Sequence, residues 1–296
     1  MSIKGLDEQR AIDRARVIVT LKSHHDLDVL LRVARLARST FYYHQARLGQ
    51  PDKHADLRAK IRTIFEASDG RYGHRRIRLA LHRQGLMVSR KLVAKLMKRE
   101  GLACLVRQKK RYSSYRGTLS TIAPNVLARD FTATGPNQKW VSDVTEFRLG
   151  SSKIYLSPII DLFDHSVVSY TVGKSPNLEL TNTSLRKALN KAKPGPGLVV
   201  HTDQGFQYQH HSWRKQLSRS HAVQSMSRKG NCYDNAVAEN FFGHLKSEMF
   251  YNNTFTSTEH LVNQIKAYIH WYNNKRIQER LEGMTPNEYR NHALAA

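Results

Sequence analysis

The chain has 296 residues and a formal net charge of +24, from 48 Lys plus Arg against 24 Asp plus Glu. Its length suits about two domains. No apolar run approaches the ~20 residues of a membrane helix and no signal peptide follows Met1, so we expect a cytoplasmic protein. Cys104 and Cys232 lie far apart without a paired spacing, which gives no support to a disulfide framework or a cysteine zinc site.

The positive charge is concentrated in the first part of the chain. Residues 1–125 contain 28 Lys plus Arg and 10 Asp plus Glu, whereas residues 126–296 contain 20 and 14. One-sided basicity of this kind usually reflects phosphate binding. It predicts a nucleic-acid partner, although a ribosomal or membrane-surface protein would share the pattern.

Residues 1–50 are predicted to form an N-terminal helical segment with a first helix-turn-helix unit. One apolar helix face is made by Leu27, Leu30, Leu31 and Ala34. The residues LARS are expected to form the turn, with Ser39 as the N-cap of the second helix, TFYYHQARL.

Residues 51–103 predict a second and stronger helix-turn-helix DNA-binding domain. Gly85 is expected in the turn, Ser89 at the start of the second helix, and Gly101 just after its end. The apolar positions of the two helices are Ile77, Leu79, Ala80, Leu81, Leu92, Val93, Leu96 and Met97.

Basic residues occupy the remaining faces of this second domain. They have the chemistry to bind DNA phosphates and guanine edges in a major groove. The predicted DNA contacts here are Arg75, Arg76, Arg90, Lys91, Lys95, Lys98 and Arg99. A three-helix domain with an ordinary basic surface is the alternative, and the presence of two units in tandem favours DNA binding.

Residues 104–137 are predicted to be a basic linker. This segment is rich in Arg, Lys, Ser and Thr and has little sustained periodicity. Tyr112 and Tyr115 would be available to stack on bases if the segment follows a nucleic-acid backbone, but the linker interpretation is at least as good.

Residues 138–255 predict a mixed α/β core with a five-stranded sheet and flanking helices. The expected strands are WVSDVTEF, KIYLSPIID, SVVSYTV, LVVHTD and HAVQSMS, and LELTNTSLRKALNKA is the clearest helix. Asp143 is predicted to lie inside the first strand, and Asp203 just past the end of the fourth. The carboxyl ends of strands are where α/β sheets place ligands.

Glu239 is predicted to lie on the polar face of a long helix, YDNAVAENFFGHLKSEMF. It shares this face with Asn235, Phe242 and Lys246, while Val237, Phe241, Leu245 and Met249 form the packing face. A lone helical glutamate is ordinarily solvated. Acids are scarce in this basic chain, however, and a carboxylate facing a polyanion implies an intervening divalent cation, which suggests metal-assisted phosphoryl transfer.

The segments WVSDVT, HTDQGFQY, SMSRKGNCYDNAVAENFFGHLKSE and YNNKRIQERLEGMTPNEYR occur in this order. Together they resemble a bacterial insertion-sequence transposase of the DDE type, most closely the second-frame product of the IS-three family. The segment YGHRRI and the helix pair that follows it resemble the helix-turn-helix region of that family. The resemblance spans nearly the whole chain.

This resemblance implies an RNase H-like (integrase-type) catalytic core in which Asp143, Asp203 and Glu239 bind two divalent metal ions, Mg²⁺ or Mn²⁺. The implied activity is strand cleavage and strand transfer, that is, DNA integration. The implied partners are double-stranded DNA, as the terminal inverted repeats of the element and its target, and further copies of the chain on that DNA. An upstream-frame product supplied by a frameshift fusion is also expected, in a bacterial, nucleoid-associated setting. Lys246, and secondarily Asn235, are predicted to contact the DNA end.

Two other functions remain open on the sequence. A metal-dependent nuclease of the same fold would use the same acids, and a repurposed transposase acting as a DNA-binding regulator would not need them. Tandem helix-turn-helix units favour end-specific recombination.

Other conspicuous residues receive structural interpretations. Asp164 is predicted to form a turn, and Asp161 is a weak candidate for the acid site. Glu146 is predicted to lie on the sheet face opposite to Asp143, and His201 is predicted to be structural. Residues 256–296 are predicted to close over the core through a helix from Glu259 to Asn273.

Overall fold

The structure is a computed structural model that describes residues 3–48, 50, 52–105, 122–228 and 232–295. It divides into two compact units, residues 1–60 and 61–296. The predicted boundaries at residues 51, 104 and 138 do not coincide with this division, because residues 61–103 pack in one unit with the α/β core. The predicted stacking residues Tyr112 and Tyr115 lie outside the described residues. Within the described ranges, no helix is both long and apolar enough to cross a membrane.

The first unit is helical. Its helices are α1 (Ile3–Leu21), α2 (Leu27–Val33) and α3 (Arg38–Leu48). Ala15, Ile18, Leu31, Leu36 and Phe41 form its buried cluster. Helix α1 was not predicted, because charged residues interrupt the apolar positions in its first half.

The predicted cap of α3 is wrong. The Phe41 N–H donates to the carbonyl of Ala37 (2.9 Å), so the helix starts before Ser39. Ser39 therefore lies within the first turn of α3 and is exposed. The turn comes earlier than predicted because Arg35, with φ 50°, reverses the chain directly after α2.

The second unit begins with the predicted helix pair. Helix α4 (Ala55–Ala67) crosses the unit boundary and is followed by α5 (His74–Arg83) and α6 (Arg90–Arg99). Gly85 adopts φ 80° in the turn, where a side chain would be strained. The Leu92 N–H donates to Ser89 Oγ (3.2 Å), which confirms the predicted cap of α6. Ile77, Leu81, Val93, Leu96 and Met97 are buried, as their helical spacing predicts.

Among the described residues, the α/β part of the second unit contains six strands rather than the five predicted. The strands are β1 (Lys139–Ser142), β2 (Thr145–Leu149), β3 (Ser152–Asp161), β4 (Val167–Gly173), β5 (Val199–Thr202) and β6 (Val223–Met226). Their order is β2-β3-β1-β5-β6, with β4 on β3. The strands β1, β5 and β6 are parallel neighbours, and the pairings of β3 are antiparallel.

The extra strand arises because Asp143 is not inside a strand. Both β1 and β2 pair with β3, so they form one line that is interrupted at Asp143 and Val144. The Val144 N–H donates to Asp143 Oδ1 (2.7 Å) instead of to a neighbouring strand. Asp143 therefore directly follows β1, just as Asp203 directly follows β5.

Helices cover both faces of the sheet. They are α7 (Leu178–Ala192), α8 (Phe206–Gln209), α9 (His211–Arg219), α10 (Ala236–Leu245), α11 (Thr258–Asn274) and α12 (Pro286–Ala295). Alternate residues of β1 point to opposite sides. Trp140 packs in a cluster with residues of α7 and α9, and Val141 packs in a cluster with residues of α10 and α11. The predicted closing helix is thus confirmed as α11.

Replacing Ser89 by Ala is expected to lower the free energy of unfolding of the second unit by about 1 kcal/mol, because the Leu92 N–H loses its acceptor. Ser39→Ala is the matched control. Ser39 lies inside α3, where alanine has the higher helix propensity, so its stability should be unchanged or slightly raised. Urea denaturation followed by circular dichroism measures both variants. An equal loss in the two would contradict these cap assignments.

Candidate active site

Two aspartates lie side by side at the carboxyl ends of adjacent parallel strands. In the register of β1 with β5, Trp140 pairs with Val200 and Val141 with His201. Continuing this register brings Asp143 next to Asp203. Carboxyl ends of parallel strands are the usual ligand position in α/β sheets, and here they bring together two acids that are far apart in sequence.

Local hydrogen bonds fix the two carboxylates. Asp143 Oδ1 accepts from the Val144 N–H (2.7 Å), and Asp203 Oδ1 accepts from the Gly205 N–H (3.0 Å). A Cβ at position 205 would lie 2.7 Å from Gln207 Nε2 and 3.0 Å from Asp203 Oδ1. A side chain at position 205 would therefore displace the Gln207 amide and press against the acid.

The electrostatics of the pair are unfavourable when both acids are charged. Burial raises the pKa of Asp143 well above its ordinary value, and the charges of Asp203 and Glu239 raise it further, whereas Lys246 lowers it. Burial also raises the pKa of Asp203. A site of this kind favours either protonation or a bound cation.

Tyr208 is a member of this site that the sequence did not reveal. Its side chain is fully buried, and its hydroxyl lies 3.5 Å from Ser142 Oγ. Burial raises the pKa of Tyr208 well above its ordinary value, and the charges of Asp203 and Asp143 act in the same direction. The phenol therefore stays neutral beside the two carboxylates. The segment HTDQGFQY contains it, but nothing in the sequence pattern distinguishes it from a packing tyrosine.

Helix α10 brings the third acid. Glu239 lies in its first turn and is only partly exposed. The packing face is as predicted, since Phe241, Leu245 and Met249 are buried in the core. The charge of Glu239 raises the pKa of Asp143.

The start of α10 is held by a buried acid that sequence analysis passed over. Asp234 is 1% exposed. Its carboxylate accepts from Arg129 Nε (2.8 Å), Asn125 Nδ2 (3.0 Å) and the Arg228 N–H (3.0 Å). The signal that could have found it is an acid five residues before Glu239 and six after Arg228, but its other arginine partner, Arg129, lies 105 residues earlier.

Lys246 and Asn235 occupy different environments. Lys246 begins a π-helical turn (Lys246–Phe250) that continues α10, and its Nζ lies 5.4 Å from the centre of the Phe147 ring. Its charge acts on Asp143, so it is close to the acids. Asn235 is 5% exposed, and among the described residues neither amide atom of its side chain has a hydrogen-bond partner.

The other acids singled out in the sequence are engaged elsewhere. Asp161 and Asp164 are buried and accept from Arg290 at 2.7 and 2.5 Å. Asp164 also accepts from the Ser166 N–H (2.7 Å), as its predicted turn role requires. Glu146 accepts from the Tyr155 hydroxyl (2.9 Å).

His201 is structural, as predicted. Its ring nitrogens lie 2.8 and 3.0 Å from the hydroxyls of Ser225 and Ser227. Burial lowers the pKa of His201 to about 4, so the ring is neutral at physiological pH. In the part of the chain that the structure describes, no three His, Cys, Asp or Glu side chains are gathered closely enough to hold a single metal ion.

The predicted DNA contacts of the second helix-turn-helix domain fall into two groups. The exposed ones are Arg75, Arg90, Lys91, Lys95, Lys98 and Arg99, five of them on α6. Arg76 is different. Its Nη1 lies 3.3 Å from the buried Glu248 Oε1, so this guanidinium takes part in the packing of the unit.

The integrase core domain family matches residues 133–232, and a second integrase core domain family matches residues 239–294. An HTH-like domain family matches residues 51–110. The InsK protein of insertion sequence element IS150 from Escherichia coli (strain K12) is 47% identical over 276 residues, covering 93% of this chain and 97% of that protein. The transposase InsF of insertion sequence IS3A from the same strain is 34% identical over 281 residues, covering 93% of this chain and 97% of that protein.

The chain belongs to the IS3 family of insertion-sequence transposases. It is a DNA transposase with an HTH-like region and an integrase-type α/β core. A protein of insertion sequence element IS1353 from Shigella flexneri is 42% identical over 284 residues, which cover 95% of this transposase but 55% of that longer relative. The integrase core makes the transposase a polynucleotidyl transferase.

Replacing Asp143 by Asn is expected to raise the free energy of unfolding of the metal-free protein at neutral pH, because it removes a half-buried, poorly solvated charge that Asp203 repels. The folded-state pKa of Asp143 lies above its unfolded value. Its contribution to wild-type stability is therefore fully present below the unfolded pKa and is lost as pH rises through the folded pKa. The gain in the variant should be largest at neutral pH and disappear in acid.

Thermal denaturation with a chelator across this pH range measures the effect. Glu146→Gln is the control, because Glu146 is bound by the Lys153 ammonium (3.1 Å) and the Tyr155 hydroxyl outside the site. It should show no such gain. Lower stability of Asp143→Asn at neutral pH would contradict the unfavourable charge.

Proposed function

We propose that this transposase cleaves the ends of its element and joins them to target DNA at a site formed by Asp143, Asp203 and Glu239. The supporting observation is the position of two half-buried aspartates, whose charges repel each other, at the ends of β1 and β5. Helix α10 adds a third acid, and Lys246 adds a positive charge that acts on the same pair. The DNA reaction uses the carboxylates as metal ligands rather than as nucleophiles.

The donor set fits Mg²⁺ or Mn²⁺. All three side chains supply carboxylate oxygens, and hard ions of this type bind through one or two carboxylates together with substrate phosphates. Three protein ligands around each ion are therefore not needed. Asp143 and Asp203 would hold one ion between them, and Glu239 would contribute to a second beside Asp143. When bound, such ions lower the pKa of the attacking water or DNA 3′-hydroxyl and stabilise the leaving oxygen.

The charges around Asp143 favour the binding of a cation and of a DNA phosphate at this site. The repulsion that raises the pKa of Asp143 is relieved when positive charge enters, so cation binding and carboxylate ionisation support each other. Lys246 is the residue that we assign to the phosphate of the DNA end, because its charge lies beside the acids. Asn235 is a weaker candidate, since its amide is buried at the start of α10.

Helix α6 is the proposed reader of the element end. Its basic side chains are exposed, and its cap and buried face hold the helix firmly on the unit. We assign Arg90, Lys91, Lys95, Lys98 and Arg99, together with Arg75 in the first turn of α5, to the terminal inverted repeat. Contacts to phosphate would give affinity, and contacts to base edges would give the choice of sequence.

Assembly is expected to involve more than one chain. Joining two element ends to one target needs two acid sites, so we propose a homo-oligomer on DNA. The length of the IS1353 relative, of which this chain matches 55%, supports a further segment supplied by an upstream-frame fusion. Function is therefore divided among DNA binding by residues 51–103, connection by residues 104–137, chemistry by residues 138–255 and closure by residues 256–296.

Asp143→Asn, Asp203→Asn and Glu239→Gln are each expected to lower end cleavage and 3′-end joining by about 10³-fold, because each removes a charged oxygen ligand. Binding to the element end should be retained, since the exposed basic residues of α6 are unchanged. The measurement uses labelled end DNA and a supercoiled target plasmid with Mg²⁺ or Mn²⁺.

Glu146→Gln is the control acid and should cleave normally. Full cleavage by any one of the three variants would remove that residue from the site. If the wild-type chain cuts DNA without regard to its ends and joins none, a nuclease activity replaces the proposed transposition.

A further inference from the structure

We call the helical run formed by α10 and its π-helical turn, residues 236–250, the catalytic helix. The segment RYGHRR, residues 71–76, contacts the far end of this helix. Arg76 Nη1 lies 3.3 Å from Glu248 Oε1, and Arg71 Nε donates to the Glu248 carbonyl (3.2 Å). The Arg71 guanidinium also stacks 4.6 Å from the Trp271 ring of α11. We call residues 71–76 the latch segment. It immediately precedes and enters α5, the first helix of the helix pair.

Tyr72 fixes the latch segment to the chain that follows α11. Its hydroxyl donates to the carbonyl of Lys275 (2.9 Å) and accepts from the Ile277 N–H (3.0 Å). The tyrosine side chain is 6% exposed. One hydroxyl thus satisfies a backbone acceptor and a backbone donor in a buried setting, where an unpaired group would be costly.

Glu248 is the buried centre of this contact. It is 4% exposed and accepts from Arg276 Nε (2.9 Å) and Nη2 (2.7 Å), while the Tyr268 hydroxyl donates to it (2.8 Å). Burial alone would raise the pKa of Glu248, but the charges of Arg276 and Arg76 lower it to about 2. The carboxylate is therefore ionised and held by two arginines and a tyrosine at physiological pH.

Glu248 shares one helical run with the active site. Glu239 lies in α10, Lys246 starts the π-helical turn, and Glu248 lies in the middle of that turn. A shift of Glu248 therefore moves the backbone that carries both active-site residues. Single π-helical turns are frequent at functional sites.

The helix pair also contacts the core at a second place, outside the catalytic helix. Arg83, at the end of α5, binds the Glu288 carboxylate through both terminal nitrogens (2.8 and 3.1 Å) and donates to the Gly283 carbonyl (3.1 Å). Both ends of α5 are thus attached to the core. The latch segment contacts the catalytic helix at Glu248, and α6 keeps its basic side chains exposed.

We propose that Glu248 is a positioning residue, and that the latch segment transmits DNA binding at the helix pair to the catalytic helix carrying Glu239 and Lys246. The proposal rests on the function proposed above for these two residues. It assigns to YGHRRI a role in coupling DNA recognition to the chemistry, in place of direct DNA contact through Arg76.

The test variant is Arg76→Gln in the full chain, with Arg83→Gln as its matched control. Glu248→Gln is unsuitable alone, because the buried Arg276 would lose its counter-charge and the protein could misfold. Arg76 is more exposed than Arg276, so its loss leaves the Glu248–Arg276 pair intact. Both variants remove one arginine that joins the helix pair to the core, but only Arg76→Gln removes a side-chain contact to the catalytic helix.

Three measurements are made with element-end DNA: binding affinity, single-turnover cleavage at saturating DNA, and hydrogen exchange of the amides of residues 245–251. We expect Arg76→Gln to bind normally and to cleave about 10-fold to 100-fold more slowly, because a small misplacement of catalytic groups costs this much. DNA should slow exchange at residues 245–251 in the wild type and in Arg83→Gln, and not in Arg76→Gln. Arg76→Lys should restore part of the cleavage rate.

Equal cleavage rates and equal exchange in the two variants would overturn the proposal. A loss of affinity in Arg76→Gln that accounts for its whole cleavage defect would also overturn it and return Arg76 to the DNA contacts. If the wild-type chain does not cleave ends, the proposed function fails. The hydrogen-exchange comparison then still decides whether DNA binding reaches the catalytic helix.

Discussion

The parallel pairing of β1 with β5 is the constraint on which the rest of this structure depends. Its register matches each residue of β1 with the one sixty positions later, as in Trp140 with Val200. The same register that buries Trp140 and Val200 in the core brings Asp143 beside Asp203. A slip of one residue would turn the side chains of β1 to the opposite faces, so core packing and the acid pair are specified together.

The acid pair is destabilising by itself, and the surrounding structure supplies what holds it. Hydrogen bonds from Val144 and Gly205 fix the carboxylates, but burial and repulsion still raise the pKa of Asp143. The helical run that delivers Glu239 is anchored at its start by Asp234 and near its end by Glu248, each bound by arginines. Those ion pairs fix both ends of the helical run that carries Glu239.

Much of this arrangement could be predicted from local pattern. The limits of α7, the Ser89 cap and the packing face of α10 follow from periodicity and capping chemistry, which act over a few residues. The break between β1 and β2 was missed, because WVSDVTEF alternates like a continuous strand and only the bond from the Val144 N–H shows the interruption. The contact of Arg76 with Glu248 was missed for a different reason. Its partner Glu248 is 172 residues away, and an arginine in a basic segment looks the same whether it faces DNA or a buried carboxylate.

The central claim is that Asp143, Asp203 and Glu239 jointly hold divalent cations at the ends of β1 and β5. Anomalous diffraction at the manganese absorption edge, from crystals of the transposase bound to its element end and soaked in Mn²⁺, tests it most directly. We expect manganese bound by the carboxylates of Asp143 and Asp203, with Glu239 as a further ligand beside the DNA phosphate. Manganese bound only by other residues, or an acid cluster without manganese at saturating concentration, would contradict it.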